Sequence, residues 1–260
     1  MEERKVPADV GAVFKESWRM FTTGWAQYVT TMLIIYVPGW IISGLVAVAV
    51  GLPFLRGITY GYTPGSAYTG AFVSSIIVVV IVGAVLAALE NAAVISLFDM
   101  QWHNEPLRWQ EAIRRGVPFI WTVIGTSVLV AFMTLLGFLL FVIPGIIVMF
   151  LMSLVVQAIV LDRLPAIPAI SASARAASRA WLPVLAVILV SAALSTGLHS
   201  LFGHDAGLGA FVSAVFGVFL TTWSSIAMGL AYLSGSQLVP AGGAGGSPPQ
   251  PGTPGGSPIK

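Results

Sequence analysis

Of the chain's 12 lysines and arginines, all but Arg56 fall on alternate connections between long apolar stretches, and this alternation restricts the fold more than any other feature. With six spans drawn, Arg4, Lys5, Lys15, Arg19, Arg108, Arg114, Arg115, Arg163, Arg175, Arg179 and Lys260 share one face. That is the positive-inside pattern of a multi-pass membrane protein with both termini in the cytoplasm. A helix rising about 1.5 Å per residue needs roughly 20 apolar residues to cross about 30 Å of hydrocarbon. The chain has 260 residues, 57% hydrophobic and 8% charged, so six spans and short connections account for most of its length. A water-soluble core could not hide that much apolar surface.

The expected fold is all-α and integral to the membrane, with six transmembrane helices arranged as three hairpins and short interfacial amphipathic helices between them. The spans fall at about 26–50, 71–97, 117–139, 141–161, 182–198 and 208–233, in one membrane domain covering 1–239. The stretch 240–260 is mostly Gly, Pro and Ser, cannot bury a core, and is expected to be disordered. The charged start, Met1 to Val10, lacks an adjoining apolar core of the signal-peptide kind, and no cleavage is expected. The chain has no cysteine, which removes disulfides, thiol catalysis and cysteine-ligated clusters without indicating a compartment.

Val10, Phe14, Trp18, Phe21 and Trp25 recur at steps of three or four, while Lys15, Glu16 and Arg19 point elsewhere. The spacing describes either an amphipathic helix lying along the cytoplasmic interface or simply the lead into span one. Pro38 removes a backbone donor within span one and predicts a bend. Tyr60, Tyr62 and Tyr68 stand where an outer aromatic belt would lie, and Trp102, Trp109 and Trp121 where interfacial anchors would. Spans three and four meet near Gly137 to Gly145 with no charge between them. Starting span four near Phe141 gives it sufficient length and puts Pro144 in the first helical turn, where its missing N–H costs little. A re-entrant hairpin leaves both flanks on the same side and stays open as an alternative.

The order of basic helix, span, external turn and returning span occurs three times, starting near Val10, Arg108 and Ala166. A pseudo-threefold duplication and the ordinary punctuation of a membrane chain both produce it. Gly44, Gly83, Gly125, Gly137, Ser191, Ala192 and Gly217 are expected to allow close helix approach.

The stretch Phe141-Val-Ile-Pro-Gly-Ile-Ile-Val-Met-Phe-Leu-Met-Ser-Leu-Val-Val-Gln-Ala-Ile-Val-Leu-Asp162, followed by Ala169-Ile-Ser-Ala-Ser-Ala-Arg-Ala-Ala-Ser-Arg-Ala-Trp181, carries a family resemblance. It resembles the six-span membrane domain fused to some bacterial glycerophosphodiester phosphodiesterases, and related stand-alone bacterial membrane proteins of uncharacterised function. The similarity rests on the Pro-Gly hairpin, the polar exit of span four and the Ala/Ser/Arg helix after it. It implies a helical fold in the bacterial inner membrane. The catalytic domain of such fusions is a separate soluble barrel, and no segment here is polar or long enough to be one, so no catalytic residue carries over.

Glu90, followed by Asn91, is the one carboxylate inside an apolar span. A charge at mid-bilayer costs about 2.5–3.5 kcal/mol on insertion scales, and such residues often mark ion or substrate paths. A span ending near Glu90 would instead let the group reach the cytoplasmic interface. Lys15, Arg19, Arg114, Arg115, Arg175 and Arg179 are candidates for contact with anionic lipid headgroups, each contributing on the order of 1 kcal/mol near a negative leaflet. His199, His204 and Asp205 have donor types that suit a metal but match no strong spacing, and no metal or other cofactor is expected. No Ser/His/Asp set assembles at a common depth, and no Gly-rich phosphate loop follows a strand. The small net charge of +2, spread along interfacial segments, argues against nucleic acid as a partner.

These readings together point to a non-enzymatic scaffold or accessory protein that organises lipids or partner proteins in the bilayer. The alternative is a small-solute or lipid transporter with a path near Glu90.

Overall fold

The computed structural model describes residues 9–46, 48–49, 59, 66–202 and 208–237. Among these the regular structure is entirely helical. The helices are α1 (Val10–Val46), α2 (Ser66–Trp102), α3 (Trp109–Gly116), α4 (Ile120–Leu140), α5 (Val142–Leu151), α6 (Val155–Leu161), α7 (Ala166–Arg179), α8 (Trp181–Phe202) and α9 (Leu208–Gln237), with a 3-10 turn at Val117–Phe119. By length and composition, six helical runs can cross a membrane: Val10–Val46, Phe72–Trp102, Trp109–Leu140, Val142–Leu161, Trp181–Phe202 and Val215–Ser236. Arg4, Lys5, Arg56, Tyr60, Tyr62, His204, Asp205 and the whole Gly/Pro/Ser stretch lie outside the described residues.

The stretch from Val10 to Trp25 and the span after it form a single helix of 37 residues, continuing through Pro38 to Val46. α2 is also 37 residues long, and begins before and ends after the expected 71–97. Each is about 55 Å long, so some 25 Å of each extends beyond an apolar layer of about 30 Å. The three junctions ahead of spans differ from one another. α1 is continuous, a 3-10 turn joins α3 to α4, and a bend at Ala180 separates α7 from α8.

The core sits toward one end of the molecule. Val13, Met20, Phe21 and Tyr28 of α1 pack with Val94, Leu97, Phe98 and Met100 of α2, Ala112 of α3, and Trp223, Ile226 and Leu230 of α9. A second cluster joins Val123 of α4, Leu154 with Val155, Ala158 and Ile159 of α6, Ala169, Ala176 and Ala177 of α7, Val184 of α8 and Tyr232 of α9. At the opposite end large apolar side chains stand free, among them Leu45, Val80, Leu139 and Leu201. In a bilayer this asymmetry has a direct cause. Where the long helices leave the hydrocarbon, burial removes apolar surface from water at about 25 cal/mol per Å². Within the hydrocarbon, lipid tails are as apolar as Leu, and burial gains little.

Span four departs from expectation, because it is not one helix. α5 and α6 are separated by a turn at 152–154, and α5, with 10 residues, covers only about 15 Å by itself. The run Val142–Leu161 has 20 residues, enough in total for a crossing. Backbone groups freed by such a break must find partners inside the protein. Ser173 of α7, fully buried, donates to the Leu151 carbonyl at 2.7 Å and accepts the Leu154 N–H at 3.2 Å.

The small residues divide into two groups. A Cβ on Gly137 would come 2.9 Å from Gly145 Cα, which explains the tight contact of α4 with α5. An added Cβ on Gly44, Gly83, Gly125 or Gly217 would meet no described atom within 4 Å, so close packing does not account for them as the sequence suggested. Ser191 is half-buried and Ala192 exposed.

Candidate functional site

Adjacent positions on a helix point about 100° apart, and α2 sends Glu90 and Asn91 to different neighbours. The Glu90 carboxylate is 3% exposed and accepts a hydrogen bond from the Tyr36 hydroxyl of α1. Asn91 donates to the Ala87 carbonyl at 2.8 Å and faces a cavity of about 210 Å³ bordered by Ala84, Ser127 and Val156. The pair that is contiguous in sequence is therefore not a joint site.

Glu90 does not stand at a helix end. α2 runs on to Trp102, about 18 Å further, and Tyr36 precedes the end of α1 at Val46 by about 15 Å. The carboxylate is thus turned into the protein about three turns from the end of either helix. Close approach makes the bond possible. Three residues after Tyr36, a Cβ on Gly39 would come 2.5 Å from Leu86 Cδ1, so the Leu86 side chain of α2 rests directly on α1 there.

The same chemistry recurs twice. Tyr28 donates to Gln101 Oε1 at 2.9 Å, and Gln101 Nε2 donates to the Met20 carbonyl at 2.9 Å. Tyr232 of α9 donates to the carboxylate of Asp162, just after α6. Tyrosine suits this role because its ring is apolar and its hydroxyl is a single donor that needs a partner when buried. Neither Tyr36 nor Tyr232 was singled out from the sequence. The available signal was a tyrosine inside an apolar stretch, which does not say which distant acid it meets.

Tyr232 and Asp162 border a cleft of about 190 Å³ that also holds Arg175, Arg179 and Ser236. α7 and α9 are in contact there, since a Cβ on Gly235 would strike the Ala176 carbonyl oxygen. The chain turns after α6 at Arg163, whose φ of 52° lies in the left-handed region.

The six basic candidates are not equivalent. Lys15 is exposed. Arg19 pairs with Glu16, Arg114 with Glu111 at 3.0 Å, and Arg115 with Glu105 at 2.9 Å and Glu111 at 3.1 Å. Arg175 and Arg179 enter none of the ion pairs found among the described residues and line the cleft instead. His199 is exposed in the last turn of α8, and its two proposed companions lie outside the described residues.

Two further hollows lie among the described residues. A groove of about 750 Å³ is walled by apolar side chains, including Phe14, Trp18, Phe21, Leu194, Phe216 and Trp223. A cavity of about 400 Å³ lies beside Arg19, Gln101 and Glu105. Glu90 borders none of these four spaces. No family model, curated protein or solved structure matches the chain.

Proposed function

We propose that this chain is a non-enzymatic scaffold or accessory protein of the bacterial inner membrane, with six crossings, three helical hairpins and both termini in the cytoplasm. The N-terminal part of α1, together with α3 and α7, forms the interfacial layer through which it organises lipids or partner proteins. The uneven placement of the basic residues supports this orientation, and α3 supports the interfacial role, with Ala112 buried and Arg114 exposed. Six long apolar helices are compatible with the helical membrane fold that the resemblance to the phosphodiesterase-linked domain implies.

The observation that carries the reading is the bond between Tyr36 and Glu90. A transport path requires polar groups strung along a cavity. Here the carboxylate is enclosed, bonded to a neighbouring helix, and absent from the walls of the hollows described above. Its role is to tie α1 to α2 within an apolar layer where few other directional contacts are available.

Reconstitution into sealed vesicles tests this. Vesicles containing the protein should dissipate a pH gradient, and admit a panel of small solutes, no faster than protein-free vesicles. Flux that requires the protein and falls in Glu90→Gln would replace the scaffold with a transporter.

A further inference from the structure

The cleft between α7 and α9 presents two guanidinium groups and one carboxylate in a small space. Arg175 and Arg179 are one helical turn apart on the exposed face of α7, without ion-pair partners among the described residues. Asp162 receives the Tyr232 hydroxyl on Oδ2, and its Oδ1 has no hydrogen-bond partner among the described residues. Two residues after Arg179, Trp181 opens α8 with 53% of its surface exposed, followed by the exposed Leu182. A tryptophan beside charged groups at the end of an apolar helix is a headgroup-level arrangement.

We infer that this cleft binds an ethanolamine-phosphate group, the zwitterionic headgroup of phosphatidylethanolamine, with the phosphate on Arg175 and Arg179 and the ammonium on Asp162. Guanidinium forks match phosphate oxygens, and charge-assisted bonds of this kind are the strong ones. The carboxylate is what selects among lipids. It repels a headgroup that carries only negative charge and accepts hydrogen bonds from a primary ammonium. A trimethylated ammonium has no N–H to donate and is bulkier, which a cleft of about 190 Å³ disfavours. Trp181 and Leu182 would border the start of the acyl chains. The site rests on the membrane reading above but not on the closed interior.

The test measures lipid retained by the full chain in detergent, using phosphatidylethanolamine, phosphatidylcholine and phosphatidylglycerol of matched acyl chains, with soluble glycerophosphoethanolamine as competitor. The wild-type protein should keep the ethanolamine lipid about tenfold better than the glycerol lipid, a ratio that one charge-assisted bond can supply. The doubly substituted Arg175→Gln/Arg179→Gln chain should lose that retention, while Asp162→Asn, which keeps an acceptor for Tyr232, should shift preference to phosphatidylglycerol. Competition by the soluble ester would locate recognition in the headgroup itself. A wild-type preference for phosphatidylglycerol overturns the proposal without any variant, as does undiminished retention by the double variant. Solute flux is a separate readout, so its appearance would remove the closed interior and leave the cleft standing.

Discussion

Ser173 on α7 accepts the backbone N–H of Leu154 at 3.2 Å and donates to the carbonyl of Leu151 at 2.7 Å, closing the break in span four from a neighbouring helix. Removing the hydroxyl leaves two buried backbone groups without this partner. Ser173→Ala should therefore cost about 1–3 kcal/mol in a detergent-based unfolding titration. Ser178→Ala, on the exposed side of the same helix, should stay within roughly 0.5 kcal/mol of the parent.

Glycines that look alike in sequence should respond oppositely to alanine. Gly235→Ala drives a methyl into the Ala176 backbone between α7 and α9, and about 1–3 kcal/mol should be lost because backbone cannot step aside. At Gly83 the added methyl meets open space inside a helix, and the change should be neutral or stabilising by up to about 1 kcal/mol. Thermal unfolding of the two variants side by side distinguishes them.

The absence of cysteine makes the orientation directly measurable. Ser178 and Ser200 are exposed positions before and near the end of α8, a helix of 22 residues or about 33 Å. An impermeant maleimide should label Ser200→Cys on intact spheroplasts and Ser178→Cys only on inverted vesicles. Labelling of both from one side would mean that α8 does not cross.

Much of the helical architecture was legible in the sequence because it follows from local composition. Long apolar windows mark the candidate spans, and Pro144 does fall in the first turn of α5. The continuity of α1 was only half legible. The apolar spacing from Val10 to Trp25 shows a stripe but not the buried face, since Trp18 and Trp25 stand exposed while Val13, Ser17, Met20 and Tyr28 are buried, and nothing local says whether the helix stops before span one. The break at 152–154 was missed because Met152, Ser153 and Leu154 contain neither Gly nor Pro, and the group that sustains it, Ser173, is supplied from another helix. Glu90 was recognisable as an anomaly in its span. Its partner was not, since Tyr36 is 54 positions away and only the packing of α1 on α2 brings the two together. The cleft was partly visible as the Arg175 and Arg179 pair, whereas its acid and tyrosine come from two other segments.

The closed interior depends most directly on the tie between Tyr36 and Glu90, and a double-mutant cycle measures it. Tyr36→Phe alone should cost about 1–3 kcal/mol, because it leaves a buried carboxylate without its donor. Glu90→Leu should cost less, since the group it leaves unpaired is the neutral hydroxyl of the half-buried Tyr36 and not a buried carboxylate. In the Glu90→Leu background, Tyr36→Phe should then do little further harm, giving a coupling of about 1 kcal/mol or more in reversible unfolding. Single effects that simply add, to within about 0.5 kcal/mol, would contradict the account and leave Glu90 free to act elsewhere.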